Sequence, residues 1–467
     1  MSAVAHFTLP VPQDARRPLA AAWLVLALAA LGVSGVFSVL LVLSRAPLTK
    51  DIFPLVDFFH VALVAHVDLS VLVWFLAFAG VLWTLNGTTR ALTAGWGAFA
   101  ALAAGSALIA LAPFVGAGRP VMANYIPVLD EPVFLTGLGA IAVGVALAVA
   151  RGMFAVQRID TRLDGTGALR FGLNTALVSA GVALIAFAWS FWEVPRALEA
   201  RGYYELVFWG GGHVLQFTWT LLMLTGWLWL AQDGGAGVPL SARTATLLFG
   251  IGLVSVFATP IIYLAWEVGS VEHHRLLTWL MRFGGGLAIV PLAAAVCLGI
   301  ARAPRAAPDE RTARAAVLSS LVLFGAGGVI GFLISGSNVK IPAHYHGCIV
   351  GVTLAFMGLA YRLLPQLGFG TVSTRWAVAQ LWLYAAGQLL HVLGLAWSGG
   401  YGVQRKVAGA GQVLRSTEEI AAMGIMGLGG LLAVIGGTLF VVLAFAAVLK
   451  RPVAKARLGL VRPDGAR

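Results

Sequence analysis

Residues 58–85 read FFHVALVAHVDLSVLVWFLAFAGVLWTL. The run holds one carboxylate, Asp68, and no lysine or arginine. A helix needs roughly 20 apolar residues to cross the hydrocarbon of a bilayer, whereas a membrane β-strand needs about ten with strict alternation. This run is too long and too uniform for a strand and reads as a membrane-spanning helix. The same reasoning finds twelve such runs, at about 19–44, 58–85, 91–116, 133–156, 171–192, 206–231, 244–271, 276–301, 315–336, 343–365, 376–398 and 421–449. Most lack an amphipathic period, as expected of helices in lipid or packed among other helices. The first follows Arg16 and Arg17 and is longer than the apolar stretch of a signal peptide, so it is expected to be retained.

Composition agrees. Of the 467 residues 60% are apolar and 11% charged, with a mean hydropathy of +0.90. Soluble domains are about 45–50% apolar and about 25% charged, so a soluble enzyme, a disordered chain and a fibrous repeat are excluded. Two cysteines, Cys297 and Cys348, are too few for a disulfide framework or a cysteine-rich metal site. The net charge of +12 is a topology signal rather than a nucleic-acid footprint. With the N-terminus in the cytoplasm, 20 of the 31 lysines and arginines fall on the inner side. The expected architecture is all-α: a polytopic bundle of twelve transmembrane helices with both termini cytoplasmic. Residues 1–467 form a single domain, with a short tail at about 1–18 and a basic tail at about 450–467.

Nine histidines stand at 6, 60, 66, 213, 273, 274, 344, 346 and 391. Ionisable groups inside a membrane are costly and mark function. Seven of the nine come from four spans and share one depth in the outer half: His60 and His66, His213, His273 and His274 at the end of the seventh run, and His344 and His346. Helical residues advance about 100° each. His344 and His346 therefore point about 200° apart and are placed to hold two different metals on opposite faces of one helix. His273 and His274 are about 100° apart and fit one metal with a third ligand from another helix, for which His213 is the candidate. His66 or His60 is left to face one of the tenth-span histidines across a flat cofactor. The count matches a three-ligand non-heme metal, a five-coordinate heme and a six-coordinate heme, for which imidazole is suited. His391, alone in the eleventh span, reads as a helix–helix hydrogen bond.

At these residues the chain resembles the catalytic subunit (subunit I) of the heme–copper oxidase superfamily, which includes the nitric oxide reductases. The resemblance spans nearly all twelve runs. It rests on Ala65-His66-Val67-Asp68-Leu69-Ser70-Val71-Leu72-Val73-Trp74, Gly212-His213, Glu272-His273-His274 and Pro342-Ala343-His344-Tyr345-His346-Gly347. It implies that His66, rather than His60, and His346 ligate a low-spin heme, that His344 is the proximal ligand of a high-spin heme, and that His213, His273 and His274 hold the second active-site metal. It further implies two hemes, of b type, one non-heme metal (iron or copper), a bacterial-type inner membrane and metal sites toward the outer side. Gly402-Val403-Gln404-Arg405-Lys406 is similar to the basic pair that relatives place over the heme propionates, a task that suits arginine.

The chain departs from the oxygen reductases at one decisive point. Those enzymes carry a tyrosine, cross-linked to a metal-ligating histidine, that supplies an electron and a proton for O–O cleavage. One known position lies four residues after the sixth-span histidine, where this chain has Phe217; the other lies six before the histidine pair, where it has Glu267. Tyr263, a turn before Glu267, is the remaining candidate on the seventh run and is expected to sit a turn too deep. Both empty positions resemble the nitric oxide reductases. Glu267, two helical turns before His274 on the same face, is expected to offer a hard oxygen ligand that favours iron and passes protons. Glu272 is an alternative, as a partner of a ligating imidazole.

The inner halves of the spans hold almost no Lys, Asp or Glu, while Asp130, Glu131, Glu193, Glu199, Glu205, Glu418 and Glu419 cluster outside. Substrate protons are therefore expected from the outer side, without pumping. The leading expectation is reduction of two NO to N2O. The second is an oxygen reductase of the cytochrome c oxidase subunit I kind with a displaced or absent tyrosine, and the third a proton-coupled transporter. No c-type heme motif or soluble electron-accepting domain is present. A separate donor subunit, a cupredoxin-like copper protein or a c-type cytochrome, is expected beside the gas substrate and the lipid bilayer, with no nucleic-acid partner.

Overall fold

The structure, a computed structural model, describes residues 5–43, 58–116, 118–159, 163–405 and 414–450. Among the described residues twelve helices are long and apolar enough to cross a membrane: Arg16–Leu41, Phe58–Asn86, Leu92–Val115, Pro132–Phe154, Gly165–Glu193, Ala200–Asp233, Ala242–Ala265, Val271–Arg302, Arg311–Phe332, Lys340–Gln366, Thr374–Gly400 and Thr417–Leu449, taken here as the first to twelfth spans. Each corresponds to one apolar run of the sequence, and the fold is the expected all-α bundle.

The arrangement of the spans explains where the histidines sit. The sixth, tenth and second spans are the most enclosed, with 89%, 83% and 72% of their most apolar stretch buried, against 22% for the eighth and 28% for the twelfth. The three innermost helices are those that carry His213, His344 with His346, and His66. The second span also contains a π-helical turn, Asp68–Val73, directly after His66. Such turns are frequent at functional sites.

Three features differ from the sequence reading. First, the seventh span stops at Ala265 and the eighth begins at Val271, so His273 and His274 open the eighth rather than end the seventh. The reason is local. Trp266 is extended (φ −139°, ψ 137°), Gly269 takes a left-handed φ of +96°, and the Ser270 side chain accepts from the His273 N–H at 3.2 Å. Glycine leaves a helix and serine starts one, and that signal lies inside an otherwise continuous apolar run. Second, residues 119–130 form a small antiparallel hairpin, β1 (Arg119–Val121) with β2 (Val128–Asp130), in the connection between the third and fourth spans. Third, the N-terminal segment is docked: Phe7 and Leu9 are buried, and Thr166 donates its hydroxyl to the Thr8 carbonyl at 2.8 Å. The basic tail beyond residue 450 lies outside the described residues.

The eleventh and twelfth spans pack along a seam of small residues. A Cβ at Gly387 would lie 2.5 Å from the Ala433 nitrogen and 2.9 Å from the Gly429 carbonyl; one at Gly394 would lie 2.5 Å from the Met426 nitrogen. Backbones meet here without side chains between them, the common device for helix association in lipid. We therefore predict that Gly387→Ala forces the two spans apart and costs about 1–3 kcal/mol, read as a lower thermal midpoint in detergent. Gly424→Ala, with nothing within 4 Å of its added carbon, is expected to cost nothing measurable.

Candidate functional site

The site is built from imidazoles whose ring nitrogens have been divided between two tasks. His66 sits at the end of the straight part of the second span, with Nδ1 2.9 Å from the Ser34 carbonyl and 2.9 Å from the Ser34 hydroxyl. His213 places Nδ1 2.7 Å from the Trp209 carbonyl, one turn back on its own helix. His344 places Nδ1 2.7 Å from the Gly327 carbonyl of the ninth span, and its ring occupies space that a Cβ at Gly331 would fill (2.7 Å). A carbonyl only accepts, so each of these Nδ1 atoms carries the proton and each Nε2 is left as a bare lone pair. Metal-ligating histidines are oriented in this way by their outer partners.

The imidazoles fall into two groups. His346 is in ring contact with His391 (centroids 5.0 Å apart, tilted 54°), and His66 lies within electrostatic reach of the same ring. The second group joins the sixth and eighth spans. Trp209 is in ring contact with His213 (4.7 Å) and with His274 (4.5 Å), while His273 and His274 have centroids 6.1 Å apart. Among the described residues no three His, Cys, Asp or Glu side chains stand together in coordinating geometry. The donor set nevertheless fits a metal. Both ring nitrogens of His273 are buried without a hydrogen-bond partner, as is Nε1 of Trp209 beside His274. An unpaired buried polar atom costs about 1–3 kcal/mol, and a bound metal would satisfy one left on this imidazole.

The sequence Trp209-Gly210-Gly211-Gly212-His213 shows why His213 is accessible to its neighbours. A Cβ at Gly210 would collide with the Tyr263 hydroxyl, one at Gly211 with the Phe187 ring and one at Gly212 with Tyr125. Three successive glycines thus admit three aromatic rings from three other elements. Tyr125, in the turn of the hairpin, has its ring centroid 4.7 Å from that of His213. Tyr263 lies 4.7 Å from His273 and shares a 2.8 Å hydrogen bond with Ser190.

The remaining sequence candidates are placed as follows. Tyr263 is not a turn too deep: the break at residues 266–270 brings His273 back beside it. The same break removes the helical spacing that put Glu267 on the face of His274. Glu267 and Glu272 are both exposed, and neither makes a side-chain hydrogen bond or ion pair among the described residues. Arg405 donates to Asn124 Oδ1 at 3.2 Å and to Ser337 Oγ at 3.4 Å; Lys406 lies outside the described residues. His60 is half-buried against Phe59. Phe217 is buried one turn inward of His213.

Several residues were not singled out by the sequence reading, which counted Glu205 only as one of the outer acids. Glu205, two turns outward of His213, accepts from the backbone N–H of Asn124 at 3.1 Å and from the Asn124 amide, and its charge reaches both Tyr125 and His274. Asp68 is buried with Oδ2 unpartnered; a lone carboxylate in a 28-residue apolar run was its visible signal. Tyr125 and Trp209 gave no signal of their own.

Known proteins place this geometry in a wider setting. The family described as Cytochrome C and Quinol oxidase polypeptide I matches residues 19–449. An uncharacterized protein of Rickettsia prowazekii is 29% identical over 91% of this chain and 94% of its own length. Cytochrome c oxidase subunit 1 of Thermus thermophilus is 28% identical over 61% of this chain and 55% of its own length. Among solved structures, a heme–copper terminal oxidase dimer superposes with a TM-score of 0.71 over 97% of this chain and 89% of that one, at 16% identity.

Burial, and secondly the charge of Glu205, push the Tyr125 phenol above its ordinary value of 10. The folded chain thus keeps a proton that the unfolded chain loses above pH 10, so stability falls as pH rises through that range. Tyr125→Phe removes this dependence. Thermal unfolding at pH 8 and pH 11 is expected to show the wild type losing about 1 kcal/mol more than the variant.

Proposed function

The chain belongs to the cytochrome c and quinol oxidase polypeptide I family, and from that premise we propose that it reduces nitric oxide in a membrane, joining two NO with two electrons and two protons to give N2O and water. The observation that carries this reading is Phe217. The position one turn inward of the sixth-span histidine, where oxygen reductases place a phenol, is an apolar ring buried to 6% exposure. Its far edge closes on Gly284, where a Cβ would lie 3.1 Å away. No hydroxyl is available there to give an electron and a proton to an O–O bond. NO coupling breaks no O–O bond and needs none.

In this reading His66 and His346 hold the low-spin heme, His344 the high-spin heme, and His213, His273 and His274 the non-heme metal. When bound, these groups deliver electrons and bind the gas. The chain supplies orientation, dryness and protons. Carbonyls of Ser34, Trp209 and Gly327 hold the protons of His66, His213 and His344 at Nδ1, so that Nε2 is the ligating atom. The rings of Tyr125 and Trp209 pack on His213, with Phe187 against Gly211 and Phe217 buried one turn inward, and these rings keep bulk water out. Protons enter from the side opposite the termini, which the charge bias makes the outer face of a bacterial inner membrane. Glu205 takes the role first sought in Glu267: held by Asn124, it offers a carboxylate between that face and the Tyr125–His213 pair. Arg405 ties the hairpin to the loop before the tenth span, beside the place read for the propionates. Electrons come from a separate cupredoxin-like or c-type cytochrome subunit. The whole chain, 1–467, acts as one membrane domain.

One observation favours the other reading, oxygen reduction with a displaced tyrosine: Tyr125 and Tyr263 each touch one of the metal-site imidazoles. Gas consumption by the purified complex with a reduced artificial donor separates the two. We predict rapid anaerobic NO loss with N2O formed and slow O2 uptake. Tyr263→Phe is expected to leave NO reduction unchanged, and Glu205→Gln to slow it about tenfold or more. Fast O2 uptake that is lost in Tyr263→Phe or Tyr125→Phe would overturn the proposal.

A further inference from the structure

We propose that a groove on the side of the termini, between the first span, the third span and the loop after the tenth, holds one anionic phospholipid. An acyl chain lies along the first span and the phosphate meets Arg17.

The walls of the groove are fixed by the fold. Its floor is the first span between Ala21 and Ala29, its walls are Phe99 of the third span and Phe369, and its volume is about 470 Å³. Trp23, buried on the inner face of the first span, holds Phe99 edge-on with ring centroids 5.4 Å apart. The other wall is set by the end of the tenth span. Gly368 takes a left-handed φ of +100°, and the Phe369 N–H donates to the Leu364 carbonyl at 3.0 Å. A glycine in this place closes the last turn of a helix, and the closure brings Phe369 against the first span.

Depth points to the occupant. Ala29 follows Arg17 by twelve residues, about 18 Å along a helix, and the hydrocarbon of one leaflet is about 15 Å thick. The groove therefore starts one turn inside the charged end and runs the depth of one leaflet. Every residue that lines it is apolar, which suits an acyl chain. Trp96 is 40% exposed and stands T-shaped to Phe99 at 5.7 Å. It sits near the same end, where tryptophans mark the headgroup level.

Charge points to the headgroup. Arg16 and Arg17 open the first span. Asp14 is taken by Arg16, in an ion pair of 2.7 Å. Among the described residues Arg17 has no such pair, and its Nε is buried without a hydrogen-bond partner. Its guanidinium lies against Gly368, where a Cβ would stand 3.1 Å from Nη2. Lys450 flanks the same loop, its Cβ 2.8 Å from the Cβ that Gly370 would carry. Two cations thus bracket Phe369 at the mouth of the groove. A phosphodiester brings the acceptor oxygens that Arg17 lacks. A flat apolar helix face exchanges its lipids, whereas a groove with basic side chains at its mouth selects an anionic headgroup.

Native mass spectrometry of the purified holoenzyme tests this. The enzyme is washed free of lipid in detergent and incubated with phosphatidylglycerol, phosphatidylcholine or inorganic phosphate. The wild type is expected to retain one phosphatidylglycerol, bound about fivefold or more tightly than phosphatidylcholine. Arg17→Gln should remove that preference, and Lys450→Gln should reduce it if Arg17→Gln does not assemble. Ala22→Leu fills the groove and should weaken both lipids. Arg302→Gln, at an exposed arginine that ends the eighth span on the same side, should change neither. Equal retention of the two lipids by the wild type would overturn the proposal, as would an equal loss in Arg17→Gln and Arg302→Gln or no effect of Ala22→Leu. Retention of inorganic phosphate in place of phosphatidylglycerol would reduce the site to its cations and also overturn it. So would a co-purifying polypeptide released by Ala22→Leu, which would assign the groove to a partner helix.

Discussion

An imidazole buried in a membrane has one N–H that must find an acceptor and one lone pair that must find something to bind. In lipid, water solves neither problem. This chain answers the first with backbone carbonyls. Ser34 serves His66, Trp209 serves His213, Gly327 serves His344 and Met426 serves His391. Each latch leaves Nε2 with its lone pair, and in the proposed reading those of His66, His213 and His344 are taken up by a cofactor. The enclosed positions of the second, sixth and tenth spans, the glycines before His213 and the small-residue seam under His391 all keep these nitrogens dry and correctly turned.

Much of this was legible in the sequence. Twelve apolar runs give twelve helices because each is long enough to span and too uniform to do anything else. The two-residue spacing of His344 and His346 separates them into different neighbourhoods, one against Gly327 and the other against His391. The readings that failed share one cause. Hydropathy saw a continuous run through residues 244–271, whereas Gly269 and Ser270 end one helix and begin another. Helical spacing then carried Glu267 onto the face of His274 and pushed Tyr263 too deep. With the break in place, Tyr263 touches His273 and Glu267 is exposed. Periodicity arguments hold only inside an unbroken helix.

Other misses came from contacts remote in sequence. The hairpin at residues 119–130 has no strong alternation, yet its turn sets Tyr125 against His213 and Asn124 against Glu205. His391 looked solitary because its neighbour, His346, is on another span. Glu205 was one of several outer acids until the hairpin folded over it. The transporter reading falls with the family match over residues 19–449. The proposed substrate choice rests chiefly on the apolar ring of Phe217.

The central claim is that the turned imidazoles exist to hold two hemes and a metal. Heme and metal content of the purified chain, read together with its spin states, tests that most directly. The account predicts two hemes and one non-heme iron or copper per chain, one heme low-spin with two imidazoles and the other high-spin. A heme-free chain, or one holding only a low-spin heme and no non-heme metal, would contradict it.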